Sequence, residues 1–199
     1  MVGCDVNNCL YASGYGNSCI YKVSLGKNSM SLWSASKPQG LSVTNSHNLL
    51  VALSGYSYSL HEYSTDGVYM RRISLPLDIS DPVYAVQLSD DHYAVIHVSP
   101  AQQFSIINSH GQLVQSYCGD AGDMNEPRGI AADKQGRVFV ADQKNNRILT
   151  VSGRTLSAYP LPLSDNCTLD GPYNLHYDSI NGRLYIGETS GGRVVCCKI

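Results

Sequence analysis

The chain has 199 residues, 43% of them hydrophobic, and a formal net charge of −2 at pH 7. That length and apolar content can bury one substantial core. The near-neutral charge excludes a global attraction to nucleic acid or to anionic membrane, and no apolar run of about 18 residues is present to cross a bilayer as a helix.

In chain order, the first strand-like runs are Cys4-Asp5, Leu10-Tyr11-Ala12 and Cys19-Ile20. Shifted by 128 residues, they fall on Ala132-Asp133, Val138-Phe139-Val140 and Arg147-Ile148. The chain is therefore expected to begin inside the innermost strand of a first unit. Prolines Pro38, Pro82, Pro127 and Pro172 then recur at separations of 44, 45 and 45 residues, each ahead of a strand-like run. Glycines Gly26, Gly67, Gly111 and Gly153 keep a parallel spacing of 41, 44 and 42. Asp66-Gly67 and His110-Gly111 are hairpin signals, because glycine takes positive φ without steric cost.

The clearest unit predicts strands over 129–133, 137–141, 147–151 and 156–160. The run Val138-Phe139-Val140 suits a sheet covered on both faces. No segment has a sustained 3.6-residue apolar rhythm, so helix is expected to be nearly absent. The last unit matches Arg193-Val194-Val195 to Arg147-Ile148-Leu149 and stops at Ile199 without a fourth strand. A fixed period of about 40–45 residues holding four short strands defines a propeller blade. The expected fold is an all-β propeller of four-stranded antiparallel blades, truncated at its N-terminus, with five blades visible of six. The blades fall at 1–37, 38–81, 82–126, 127–171 and 172–199.

Seven cysteines are an odd count for a disulfide framework. Cys4, Cys9, Cys19, Cys196 and Cys197 lie in or beside predicted strands, and Cys118 and Cys167 lie near strand ends or loops. They read as free thiols acting as small apolar side chains, which fits a cytoplasmic setting. No C-x-x-C pair or Cys/His cluster has metal-ligand spacing, so no metal is expected.

The stretch Pro127-Arg128-Gly129-Ile130-Ala131-Ala132-Asp133, with Gly136-Arg137-Val138-Phe139-Val140-Ala141-Asp142 and Asn145-Asn146-Arg147-Ile148, closely resembles an NHL repeat. A weaker copy runs through Pro172, Asp178, Gly182, Leu184, Tyr185, Glu188, Arg193 and Val194. The resemblance implies a six-bladed propeller, like that at the C-terminus of tripartite-motif ubiquitin ligases. It also implies a non-catalytic protein-interaction module, with substrate recognition for a ligase parent as one role. Asp133, Asp142 and Arg147 are read as an intrablade ionic network of the scaffold, and Glu188 with Arg193 likewise.

Ligands of propellers meet the face built by two sets of loops, from each outer strand to the next inner strand and from second to third strands. Those loops carry Tyr15, Tyr56, Tyr58, Arg128, Lys144, Asn145 and Tyr173, residue types that anchor protein interfaces. Single-stranded RNA is the alternative partner. It is disfavoured by the carboxylates of Asp78, Asp81, Asp120, Asp123, Glu126, Asp142, Asp165, Asp170 and Glu188, set against Lys37, Arg128, Lys144 and Arg147. A metal-dependent lyase or lactonase is a further alternative, with Asn45, Gln87, Asn174, His176, Asp5, Asp133 and Asp178 as channel candidates. No catalytic residue, cofactor, membrane contact or small-molecule substrate is identified.

Overall fold

The computed structural model describes residues 2–4, 7–55, 57–89, 91–99, 103–117, 123–152, 155–163, 167–190 and 192–199. They form five antiparallel sheets in chain order. Their inner strands are Val2–Cys4, Pro38–Val43, Ser80–Ser89, Pro127–Ala132 and Pro172–Asp178. Blades 1 to 4 have four strands each and blade 5 has three, each sheet ordered from first strand to last. The third inner strand begins two residues before its proline, at Ser80. A three-residue 3₁₀ turn, Gln143–Asn145, is the only helical element among the described residues.

Strand composition explains the stacking. In Leu49–Leu53 every residue is buried. Leu49, Val51 and Leu53 join the apolar cluster shared with blade 1, through Tyr11 and Ile20. Leu50 and Ala52 join the cluster shared with blade 3, through Ala85, Tyr93 and Val95. The same alternation divides Arg137–Asp142. Val138 and Val140 pack on Ile96, Phe104 and Ile106 of blade 3, while Phe139 and Ala141 pack on Leu175, Leu184 and Ile186 of blade 5. Period-2 alternation sends successive side chains to opposite faces, so a strand between two blades must be apolar throughout. Each fully buried Leu, Ile or Phe contributes about 1.5–3 kcal/mol. A core cluster joins every consecutive pair of blades; among the described residues, none joins blade 5 to blade 1.

The hairpins follow their glycines at two of the four expected positions, with Gly67 at φ +84° and Gly111 at φ +78°. In blade 1 the left-handed residue is Asn28 at φ +47°, not Gly26. Gly153 lies outside the described residues. The outer strand of blade 4 is also shorter than expected, Ala158–Pro160.

A glycine two residues beyond the proline sets how closely blades approach. A Cβ at Gly129 would stand 2.3 Å from the Tyr173 carbonyl oxygen of the next inner strand, and one at Gly40 would stand 2.6 Å from the Val83 carbonyl oxygen. Pro38-Gln39-Gly40 is thus the structural twin of Pro127-Arg128-Gly129.

Candidate functional site

Beyond each opening proline, the pairing of inner and second strands slips. The register shifts between Pro38 and Leu41, between Pro127 and Ile130, and between Pro172 and Asn174. In blade 3 it shifts where Pro82 and Tyr84 face His97 and Ile96. A β-bulge re-aims the side chain at the irregular position. Here it is the residue directly after the proline: Gln39, Val83, Arg128 and Tyr173. All four, with Ser13 and Tyr15 of blade 1, line one cavity of about 190 Å³ to which all five blades contribute. This is the mouth of the central channel. A neighbouring groove of about 670 Å³ shares Tyr15, Gln39, Val83 and Arg128 with it, and adds Lys37, Tyr58, Asp81 and Val98.

Four of the seven sequence-predicted site residues therefore meet: Tyr15, Tyr58, Arg128 and Tyr173. Tyr15 is 50% exposed and Tyr173 38%. The Arg128 guanidinium lies over the Tyr173 ring, 5.9 Å from its centroid. Its Nη2 donates to Glu126 Oε2 at 2.9 Å and its Nε to Gln143 Oε1 at 3.2 Å. Lys144 sits on the rim, with its Nζ 3.2 Å from Glu126 Oε1. The Arg128 and Lys144 cations hold the Glu126 carboxyl below its usual range. Tyr58 hydrogen-bonds the Asp81 carboxylate, which raises the phenol's pKa. Asn145 is exposed, and its amide donates to Asp142 Oδ2 at 2.8 Å and to the Asp123 carbonyl at 3.0 Å. Tyr56 lies outside the described residues.

Gln39, Val83 and Tyr84 were missed by sequence reading. Gln39 Nε2 donates to Ser54 Oγ at 3.1 Å. Tyr84 occupies the place of the missing glycine in blade 3, donates to the Leu41 carbonyl at 2.6 Å, and has its pKa pushed up to about 12 by burial. The positional signal was present: Gln39 and Val83 directly follow periodic prolines, and Tyr84 is one residue further on.

Two buried carboxylates anchor the loops that carry Arg128 and Tyr173. Asp142 is completely buried and accepts from Asn125 N at 2.7 Å and from Arg147 Nε at 2.6 Å. Arg147 also donates to the Asp123 carbonyl. Blade 5 repeats the device. Glu188 accepts from Asp170 N at 2.7 Å and pairs with Arg193, which also donates to the Thr168 carbonyl. In each blade the anchored amide, Asn125 or Asp170, lies three residues before the mouth residue. The expected network of Asp133, Asp142 and Arg147 is corrected in one member: Asp133 pairs with Arg137 Nε at 2.5 Å and shapes its own hairpin.

These pairs also correct the charge expected for the face. Asp142 and Glu188 are inside the scaffold, each neutralised by an arginine, while Asp120 and Asp165 lie outside the described residues. Among the described residues, Asp81 is the one carboxylate lining the two cavities, against Lys37 and Arg128.

Among the described channel candidates, Asn174 lines the mouth and the others are engaged elsewhere. Gln87 Oε1 accepts from the Asn45 backbone amide at 2.9 Å, His176 stacks beside Tyr185, and Asp178 caps its own hairpin through Ile180 N and Asn181 N. Asp5 lies outside the described residues. No group of three or more His, Cys, Asp or Glu residues able to hold a metal occurs among the described residues.

Fold and site together define a five-bladed β-propeller with an aromatic, arginine-bearing channel mouth. Residues 124–150, the loop and three strands around the Asp142 anchor, match the NHL repeat family. No curated protein matches the sequence. Among solved structures, a protein of unknown function from Bacteroides caccae superposes with a TM-score of 0.79 at 15% identity, over 96% of this chain and 74% of that one. A chain of a nidogen/laminin complex gives 0.70 at 18%, over 96% and 73%. A streptogramin B lyase gives 0.64 at 15%, over 98% and 67%. At such identities the likeness is one of fold.

Proposed function

We propose that the chain is a non-catalytic protein-interaction module that presents its channel mouth to a protein partner. The observation that carries this reading is the convergence of Arg128 and Tyr173 with Tyr15 and Tyr58 on one open rim. Tyrosine and arginine dominate binding energy at protein interfaces, and the Asp142 and Glu188 anchors hold two of these residues in place before any partner arrives. Lys37, Arg128 and Lys144, two of them beside Glu126, do not make the continuous positive groove that a single strand of RNA requires, so a polypeptide is the favoured occupant. In a ubiquitin-ligase parent, the mouth would recognise the substrate.

The test is affinity capture with the wild-type chain and an Arg128→Ala/Tyr173→Ala variant, each with and without nuclease. Proteins retained by the wild type after nuclease treatment and lost by the variant support the reading. Capture that nuclease abolishes assigns the mouth to RNA, and capture indifferent to both substitutions rejects the mouth as the site.

A further inference from the structure

Segment 167–171 is strapped to the end of blade 5 at three points. Arg193 donates to the Thr168 carbonyl, Asp170 N donates to Glu188 Oε1 at 2.7 Å, and Thr189 N donates to the Gly171 carbonyl at 3.0 Å. Leu169 packs in the same apolar cluster as Cys197. In the register of the last strand, Val194–Lys198, Cys197 pairs with the fully buried Leu184. Cys197 therefore faces blade 4, while Cys196 turns to the other face and is exposed. Cys167 lies two residues before Leu169, which shares that cluster with Cys197, and after burial itself the neighbouring Cys167 thiol raises the Cys197 pKa. Both are half-buried free thiols.

We infer that Cys167 and Cys197 are an oxidation site, a thiol pair held so as to close into one intramolecular disulfide, with Cys196 excluded by strand alternation. The partial exposure of Cys167 admits a small oxidant, here a low-molecular-weight disulfide of the glutathione class. Cys167 gives up its proton and its thiolate attacks one sulfur of the oxidant, breaking that S–S bond. The first glutathione leaves as a thiolate and takes up a proton. Cys197 then loses its proton and attacks the mixed disulfide, and the second glutathione leaves in the same way. The protein gives up two electrons and two protons, and the oxidant gains both. The product ties the link between blades 4 and 5 to the last strand, next to the turn that carries Tyr173.

The experiment treats the folded chain with oxidised glutathione, then unfolds it in denaturant at low pH, blocks free thiols by alkylation in the denaturant, and maps peptides without reduction. Two of the seven cysteines are expected to be lost to alkylation and recovered with dithiothreitol, with the Cys167 peptide joined to the C-terminal one. Cys196→Ser keeps the cross-link. Cys197→Ser abolishes it and leaves glutathione on Cys167. Cys167→Ser, at a half-exposed position, must also abolish it and serves if the Cys197 variant does not fold. Seven alkylated cysteines, a cross-link that survives Cys197→Ser, or one formed only between two chains overturns the assignment.

Discussion

The guanidinium of Arg128 rests on the ring of Tyr173, 5.9 Å from its centroid, and so joins blades 4 and 5 at the channel mouth. A cation–π contact at an exposed site contributes about 0.5–1 kcal/mol, whereas an arginine or tyrosine anchor of an interface is worth about 2 kcal/mol or more. Arg128→Ala should lower stability by no more than about 1 kcal/mol in urea unfolding. It should weaken partner binding by about 30-fold, the equivalent of about 2 kcal/mol. Unfolding that accompanies the loss of binding would assign Arg128 to the scaffold.

Asp142 should be the most costly carboxylate to neutralise. It is fully buried and accepts from Arg147, Asn145 and Asn125. Asp142→Asn removes the buried carboxylate charge from its pair with Arg147, and breaking a buried pair costs about 3–5 kcal/mol. Chemical denaturation should show that loss, and binding should fall with it because the 123–126 loop positions Arg128.

Gly129→Ala tests the approach of blades 4 and 5. The added methyl meets the Tyr173 carbonyl oxygen at 2.3 Å and Asn174 Cα at 3.0 Å, so the backbone must separate. Overpacking of this kind costs about 1–3 kcal/mol. Gly136→Ala enters open space at φ +81° and should cost about 1 kcal/mol through backbone strain alone. Equal losses in the two variants would refute the close-approach role of Gly129.

Acid sensitivity should come from Glu188. Its hydrogen bond with Arg193 holds the folded-state pKa below the ordinary value of 4.5. Stability from this pair is therefore complete above about pH 4.5 and is lost as pH falls through the lower folded value. Glu188→Gln should lower stability at pH 7 and flatten the acid limb of a stability-versus-pH curve.

His61 adds a second, milder slope. Burial, then the Arg72 charge, push its pKa below 6.5. Its neutral form is the one the fold accepts, so its contribution is full above pH 6.5 and declines as pH falls through the depressed folded value. An NMR titration of the His61 ring should give a midpoint below 6.5; a midpoint at or above it would contradict the burial argument.

Much of the architecture was legible in the sequence. Prolines at a fixed period, strands apolar at every position and glycines at hairpins are local features, and Pro127, Val138-Phe139-Val140 and Gly67 declared them directly. The ion pairs at Asp142–Arg147 and Glu188–Arg193 were also readable, because each spans a single tight turn. Tyr15, Tyr58, Arg128 and Tyr173 could be named as candidates by residue type, in loops expected to share a face.

Only the tertiary structure could decide which side chains enter the mouth and which charges belong to it. Gln39 and Val83 have ordinary identities; their role comes from a one-residue slip in strand pairing, and such a slip leaves no mark on composition. Asp142 and Glu188 were expected to pair with arginines, but only the structure shows that both carboxylates are buried. Asn145 and Arg128 look equally available until one amide is found bound to its own loop and the other side chain laid over a ring from the next blade. Sequence records the chemistry that each residue carries, whereas the distance between blades determines what that chemistry can reach.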